Sequence, residues 1–239
     1  MKIASIIPVR LAATRFPNKP FAQIQGLPMF HYVYNRVITS YPNTFLATCD
    51  EEIETYCSQH NIQFIHTNSN HQSGTDRIGE AVSKIEKKFY FNKVINIQGD
   101  MPFITTNHIE LLLKTIDYFE MSTLCCPFVD EVEFQDTNKV KLSIKEKENN
   151  LMAENFFRKP NHTSEMNLNI FHHIGLYGYQ ISFLKDFLKM PISEREKNEK
   201  LEQLRIKDLN RIGVSLIKEN ILGVDTKEDL IRVNQILKK

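Results

Sequence analysis

The chain has 239 residues, 41% of them apolar and 25% charged, enough to bury a substantial core and in line with an ordinary globular protein. Thirty basic residues against 29 acidic ones leave a net charge of +1, so no global field draws the chain to nucleic acid or to a membrane surface, and an anionic ligand must be met by local charge. The N-terminal "MKIASIIPVR" is too short in its apolar run for a signal peptide and no apolar stretch reaches membrane-spanning length, which makes the cytoplasm the expected compartment.

In chain order, the short apolar runs "KIASIIP", "TFLATCD", "IQFIHT", "KVINIQGD" and "TLCCPFV" read as core strands. Between them, "PMFHYVYNRVITS", "EEIETYCSQH", "GTDRIGEAVSKIEKKF" and "TNHIELLLKTIDYFE" carry helical spacing. This alternation predicts an α/β fold with a mostly parallel sheet, whose ligands gather at the C-terminal ends of strands. Of the four cysteines, Cys49, Cys57, Cys125 and Cys126, none forms a CxxC pattern, and the last two read as buried free thiols rather than metal ligands. From about residue 130 the texture changes to short strand-like pieces with a charged hairpin tip at Lys145 to Asn150. "HHIGLYGYQISFLKDFLKM" reads as a strand running into a helix, and "EKNEKLEQLRIKDLNR" as one charged amphipathic helix. Thr226 in "GVDTKEDL" can cap a final helix with Asp229 three residues on. With no repeat and no Gly/Ser linker, one domain is expected.

Several stretches carry candidate chemistry. "IIPVRLAATRFPNKP" follows the first strand and places Arg10, Arg15 and Lys19 among Pro8, Pro17 and Pro20. Prolines restrict such a loop, and its cations suit a polyphosphate or a solvated basic surface equally well; the Walker pattern is absent. "NIQGDMPFI" ends a strand with Asp100, either a turn former or a carboxylate for Mg²⁺ beside a nucleotide. In "HQSGTDRIGEAV", Ser73, Gly74 and Thr75 form a polar loop before a helix whose first turn holds Asp76 and Arg77, able to read a base edge or simply to cap the helix. Asp225 follows another short apolar run, and if it meets Asp100 in space the two make a metal site.

Taken together and in order, "IIPVRLAATRFPNKP", "HQSGTDR", "INIQGDMPFI", "HIGLYGY", "LEQLR" and "GVDTKEDL" closely resemble the 3-deoxy-D-manno-octulosonate (Kdo) cytidylyltransferases, over nearly the whole chain. The resemblance implies a nucleotide-diphospho-sugar transferase α/β fold with a smaller sugar-binding and dimerisation portion: residues 1–130 mainly nucleotide-binding, 131–215 mainly sugar-binding and dimerisation, 216–239 returning to the core. It implies transfer of CMP from CTP to a Kdo-type sugar acid for lipopolysaccharide assembly, by a Mg²⁺-dependent homodimer. Arg10, Arg15 and Lys19 match positions that hold the CTP phosphates, Ser73, Gly74, Thr75, Arg77 and Gln98 the nucleotide pocket, and Asp100 and Asp225 the metal carboxylates. The catalytic set would be Arg10, Lys19, Asp100 and Asp225. For the sugar acid the matching positions are Arg158, His173, Tyr177, Glu202 and Gln203, with Arg158 and His173 at its carboxylate. Met101 stands where the family usually has glutamate, Phe157 where it has serine and His172 where it has arginine. Alternative substrates are the 8-amino analogue of Kdo or another nonulosonic acid, and the alternative outside enzymes is a silent nucleotide-binding protein.

Overall fold

The computed structural model describes residues 2–11, 16–71, 73–160 and 169–238. In chain order its elements are β1 (Ile3–Pro8), a 3-10 turn (Lys19–Phe21), β2 (Gln23–Ile24), β3 (Leu27–Pro28), α1 (Met29–Ile38), β4 (Thr44–Thr48), α2 (Glu51–Gln59) and β5 (Phe64–His66). Next come α3 (Gly74–Ile85), β6 (Lys93–Asn96), α4 (Thr106–Ile116), β7 (Met121–Cys126), α5 (Glu131–Gln135), β8 (Lys141–Lys147) and β9 (Asn150–Phe157). The chain finishes with β10 (Ile170–Gln180), α6 (Ile181–Phe187), α7 (Glu194–Glu199), 3-10 turns at Glu202–Arg205 and Leu209–Arg211, β11 (Ile212–Leu216) and α8 (Lys227–Leu237). Two compact units contain these elements: Met1–Thr106 with Ile221–Lys239, and Asn107–Asn220.

The first unit is built on parallel strands in the order β5-β4-β1-β6. A strand flanked on both sides must be apolar nearly throughout, and in β1 Ala4, Ile6 and Ile7 are fully buried. The C-terminal return belongs to this unit because Val224 and Val233 complete a core cluster with Phe16, Ile24 and Met29. The Val224 N–H also donates to the Asp100 carbonyl at 2.9 Å. Just beyond, Thr226 and Asp229 form the expected capping box of α8.

The second unit is antiparallel except for β7–β11, and its pairings β10–β7, β7–β11, β11–β9, β9–β8 and β8–β10 close on themselves. The expected parallel sheet is thus a property of the first unit. Hairpin chemistry explains the difference: Glu148 and Asn149 take φ of 54° and 62°, a two-residue turn between β8 and β9 at the charged tip. The expected single helix over residues 196–211 is broken. Lys200 takes φ 55° after α7, and a 3-10 turn follows. The cause is tertiary: Arg205 Nη2 reaches back to Glu196 Oε1 at 2.7 Å in a buried ion pair, which a continuous helix would place more than two turns apart. Cys125 and Cys126 are buried free thiols, as expected.

On β11, a methyl group at Gly213 would lie 2.3 Å from the Phe119 ring and 2.4 Å from Thr115 Cγ2. Gly213→Ala should therefore destabilise by about 1–3 kcal/mol through overpacking, read as a lower denaturant midpoint with an unchanged slope; an unchanged midpoint would contradict the packing.

Candidate active site

A cavity of about 440 Å³ opens in the first unit. Arg10 reaches it from the end of β1, Lys19 from the 3-10 turn, Ser73, Gly74 and Arg77 from the start of α3, Gln98 and Asp100 from the loop after β6, and Asp225 from the C-terminal return. At its centre Lys19 Nζ lies 2.7 Å from Asp100 Oδ2 and 3.0 Å from Asp225 Oδ1. Burial alone would lower the ammonium's pKa, but the two carboxylates, Asp100 above all, outweigh it and raise the pKa above the usual lysine value. Two carboxylates converging on one positive charge are hard oxygen donors of the kind that suits Mg²⁺. Asp100 and Asp225 are thus the residues that could hold such a cation together with phosphate oxygens.

The rim follows from local chemistry. Ser73 Oγ accepts from the Asp76 N–H at 3.1 Å, capping α3 as a helix start rather than a free loop. Arg77 is 3% exposed and its guanidinium donates to Thr67 Oγ1. Gln98 Nε2 donates to Asn96 Oδ1 at 3.2 Å, and the Leu11 N–H, next to Arg10, donates to Asp50 Oδ2 at 2.8 Å.

The second unit gathers another set. Arg158 is held through its Nε by the Glu199 carbonyl at 2.8 Å and through its backbone N–H by Glu199 Oε2 at 3.1 Å. Wholly buried Lys141 donates to the carbonyls of Asp136, Lys139 and Arg158 at 2.6, 2.9 and 3.1 Å, anchoring the same residue from behind. His173 and Tyr177 have ring centroids 5.5 Å apart, and Tyr177 Oη donates to Gln203 Oε1 at 3.1 Å. The Gln203 Nε2 is buried without a partner among the described residues, a donor in want of an acceptor. Burial, and then Tyr179 and Glu202, push the Tyr177 phenol well above its ordinary pKa against the opposing pull of Arg158. Burial drives His173 down to about 3, with His172 and Arg158 adding to the effect.

Against known proteins, the cytidylyltransferase family profile matches residues 4–216. A 3-deoxy-manno-octulosonate cytidylyltransferase of Bartonella bacilliformis is 34% identical over 242 residues, 99% of each chain. One from Brucella anthropi is 39% identical over 97% of this chain and 95% of the relative. The chain belongs to the 3-deoxy-manno-octulosonate cytidylyltransferases. A solved structure of CMP:2-keto-3-deoxy-manno-octonic acid synthetase complexed with CTP matches with a TM-score of 0.87 at 29% identity, covering 100% of this chain and 99% of that one. A mannose-1-phosphate geranyltransferase from Thermus thermophilus shares the fold at 15% identity and a TM-score of 0.66, over 91% of this chain and 75% of that one.

Within this cytidylyltransferase fold, the cavity brings together Arg10, Lys19, Ser73, Gly74, Arg77, Gln98, Asp100 and Asp225 from the residues singled out in the sequence. Thr75 is buried in the first turn of α3 and falls outside the lining, because the helix begins at Gly74, two residues earlier than the loop reading supposed. Arg15 lies outside the described residues. In the second unit Tyr177 feels the charges of Arg158 and Glu202 and bonds Gln203, while His173 lies beside it. A neutral His173 brings no charge, so of the two groups expected at the sugar's carboxylate only Arg158 is a cation.

Sequence reading missed His71 and its anchor. His71 lines the cavity and hydrogen-bonds Glu80, which also accepts from the Asn68 N–H at 2.8 Å and pairs with Lys84 at 2.7 Å. Only the spacing of nine residues, placing Glu80 two turns into α3, hinted at it. Burial would raise the Glu80 pKa, but Lys84, the Asn68 N–H and His71 together pull it down to about 2. A carboxylate depressed in the fold stabilises above its unfolded pKa and loses that contribution as pH falls through the folded one. The stability gap between the native protein and Glu80→Gln should therefore be full above about pH 4.5 and close as pH falls towards 2. Acid titration of denaturant midpoints reads it, and a gap independent of pH would refute the clamp.

Proposed function

We propose that this chain transfers CMP from CTP to Kdo, releasing pyrophosphate and activating the sugar for lipopolysaccharide assembly. The observation that carries this reading is the convergence of Lys19, Asp100 and Asp225 in a cavity ringed by Arg10, Ser73, Gly74, Arg77 and Gln98, on a chain that matches Kdo cytidylyltransferases over nearly its full length.

In the reaction an anomeric oxygen forms a bond to the α-phosphorus of CTP while the bond to the bridging oxygen of pyrophosphate breaks, so the protein's task is positioning and charge neutralisation. Arg10, Lys19 and Arg15 bind the triphosphate: guanidinium groups can take its oxygens in pairs, and the ammonium acts as a compact charge. Ser73, Gly74, Arg77 and Gln98 orient the nucleoside. Asp100 and Asp225 would hold Mg²⁺, which supplies neutralisation of the phosphates and lowers the pKa of the attacking hydroxyl. On the sugar side Arg158 meets the carboxylate, while His173, Tyr177, Glu202 and Gln203 read hydroxyls; the spare Gln203 Nε2 donor supports that role. The same reading includes a homodimer working in the cytoplasm, where CTP is made. No helix among the described residues is long and apolar enough to cross a membrane.

Pyrophosphate release with CTP and Mg²⁺ tests the reading: turnover is expected with Kdo and not with sialic acid, the 8-amino analogue being the discriminating third arm. Silence with all three sugars would leave a nucleotide-binding protein instead. Asp100→Ala should lower kcat by on the order of 10²-fold or more, and near-normal turnover in that variant would remove the metal assignment. His173→Ala should raise the KM for Kdo about tenfold, the worth of one lost hydrogen bond, with that for CTP unchanged. An equal rise in both would take His173 away from the sugar.

A further inference from the structure

Thr123 on β7 is given no part in the chemistry above, yet its fully buried hydroxyl is a junction. Its Oγ1 lies 2.9 Å from His173 Nε2, 2.9 Å from the Leu176 carbonyl and 3.2 Å from the Ile174 carbonyl. The carbonyls belong to a bulge. The register of β10 against β7 shifts between Ile174 and Tyr177, so that His173 lies opposite Cys125 and Tyr177 opposite Thr123. Four residues of β10 thus run along two of β7. Four residues of a regular strand advance roughly 13 Å, whereas the two β7 residues faced here advance roughly 7 Å, and the His173 and Tyr177 rings meet with centroids 5.5 Å apart. The bulge is what makes them neighbours.

The same junction fixes a proton. Carbonyl oxygens only accept, so the single Thr123 hydroxyl proton goes to one of them and Oγ1 presents lone pairs to the imidazole. A neutral ring has one N–H, and burial keeps His173 neutral. Nε2 carries that proton and Nδ1 is left as an acceptor. The opposite tautomer would spend the hydroxyl proton on Nε2 and set two buried carbonyls against a hydroxyl with nothing to donate.

We infer that Thr123 is a positioning residue for sugar-acid binding: it pins the β10 bulge that joins His173 to Tyr177 and holds His173 as the Nε2–H tautomer, so that Nδ1 accepts from a substrate hydroxyl. This rests on the reading of His173 and Tyr177 as sugar-side residues. Thr123→Val keeps the shape and removes the hydroxyl. It should raise the KM for Kdo about tenfold and leave kcat and the KM for CTP within about twofold, while Thr123→Ser restores native values. Equal impairment in the serine variant, or a matching rise in the KM for CTP, would overturn the inference. Should the valine variant not fold, imidazole ¹⁵N NMR of the native full chain still decides, with the His173 signal assigned by its loss in His173→Gln. The Nε2–H form is expected, and the Nδ1–H form refutes the junction. A rise in the KM for Kdo in His173→Ala but not in Thr123→Val overturns Thr123 alone. No rise in either overturns the sugar-side reading beneath it.

Discussion

The cavity of the first unit is organised around one electrostatic junction, the Lys19 ammonium between Asp100 and Asp225. These residues come from the first loop, the loop after β6 and the C-terminal return, separated in sequence by 81 and 206 positions. The ammonium lies within ion-pair distance of both carboxylates and offsets the repulsion between them. The raised pKa of Lys19 is the same fact seen from the cation's side. Contacts on either side support the arrangement: the Val224 N–H to Asp100 carbonyl bond precedes Asp225, and the Thr226–Asp229 capping box of α8 follows it.

The second unit solves a different problem by different means. Its candidate sugar-binding groups set the charged Arg158 and Glu202 beside the buried His173 and Gln203 and the half-buried Tyr177, so hydrogen-bond geometry joins charge in the sorting. Strand alternation divides the adjacent histidines of β10. His173 packs edge-on against Phe156 and beside Tyr177, whereas His172 stacks on Phe128 next to Glu133. Burial, reinforced by Lys139, lowers the His172 pKa to about 4. The family's arginine position is thus occupied by a neutral ring whose contacts, Phe128 and Glu133, are different from those of His173 and Tyr177.

Arg10, Lys19, Ser73, Gln98 and Asp100 were legible in the sequence because each lies within a few residues of a strand end or helix start, where local pattern predicts a ligand-facing position. Asp225 was legible only as a conditional, since nothing in "GVDT" says what it meets. Glu80, Asp50, Lys141 and Thr123 were not legible as supports. A glutamate in a helix, a lysine in a strand and a threonine in an apolar run look the same whether they face solvent or anchor a loop, and only their partners distinguish them. The continuous helix expected over residues 196–211 failed for a related reason. Its charge pattern was right for a helix, and a buried Glu196–Arg205 pair overrode it.

The sequence by itself determined the α/β alternation, the family and the types of groups that a triphosphate and a sugar acid require, because strand hydrophobicity, capping and loop chemistry are local. The tertiary structure decided which groups share a point in space. The Lys19 junction joins segments more than 200 residues apart, and the β10 bulge is defined only against β7. Contacts of that range are set by packing and by the need to satisfy buried polar atoms, and no window of the chain contains both partners.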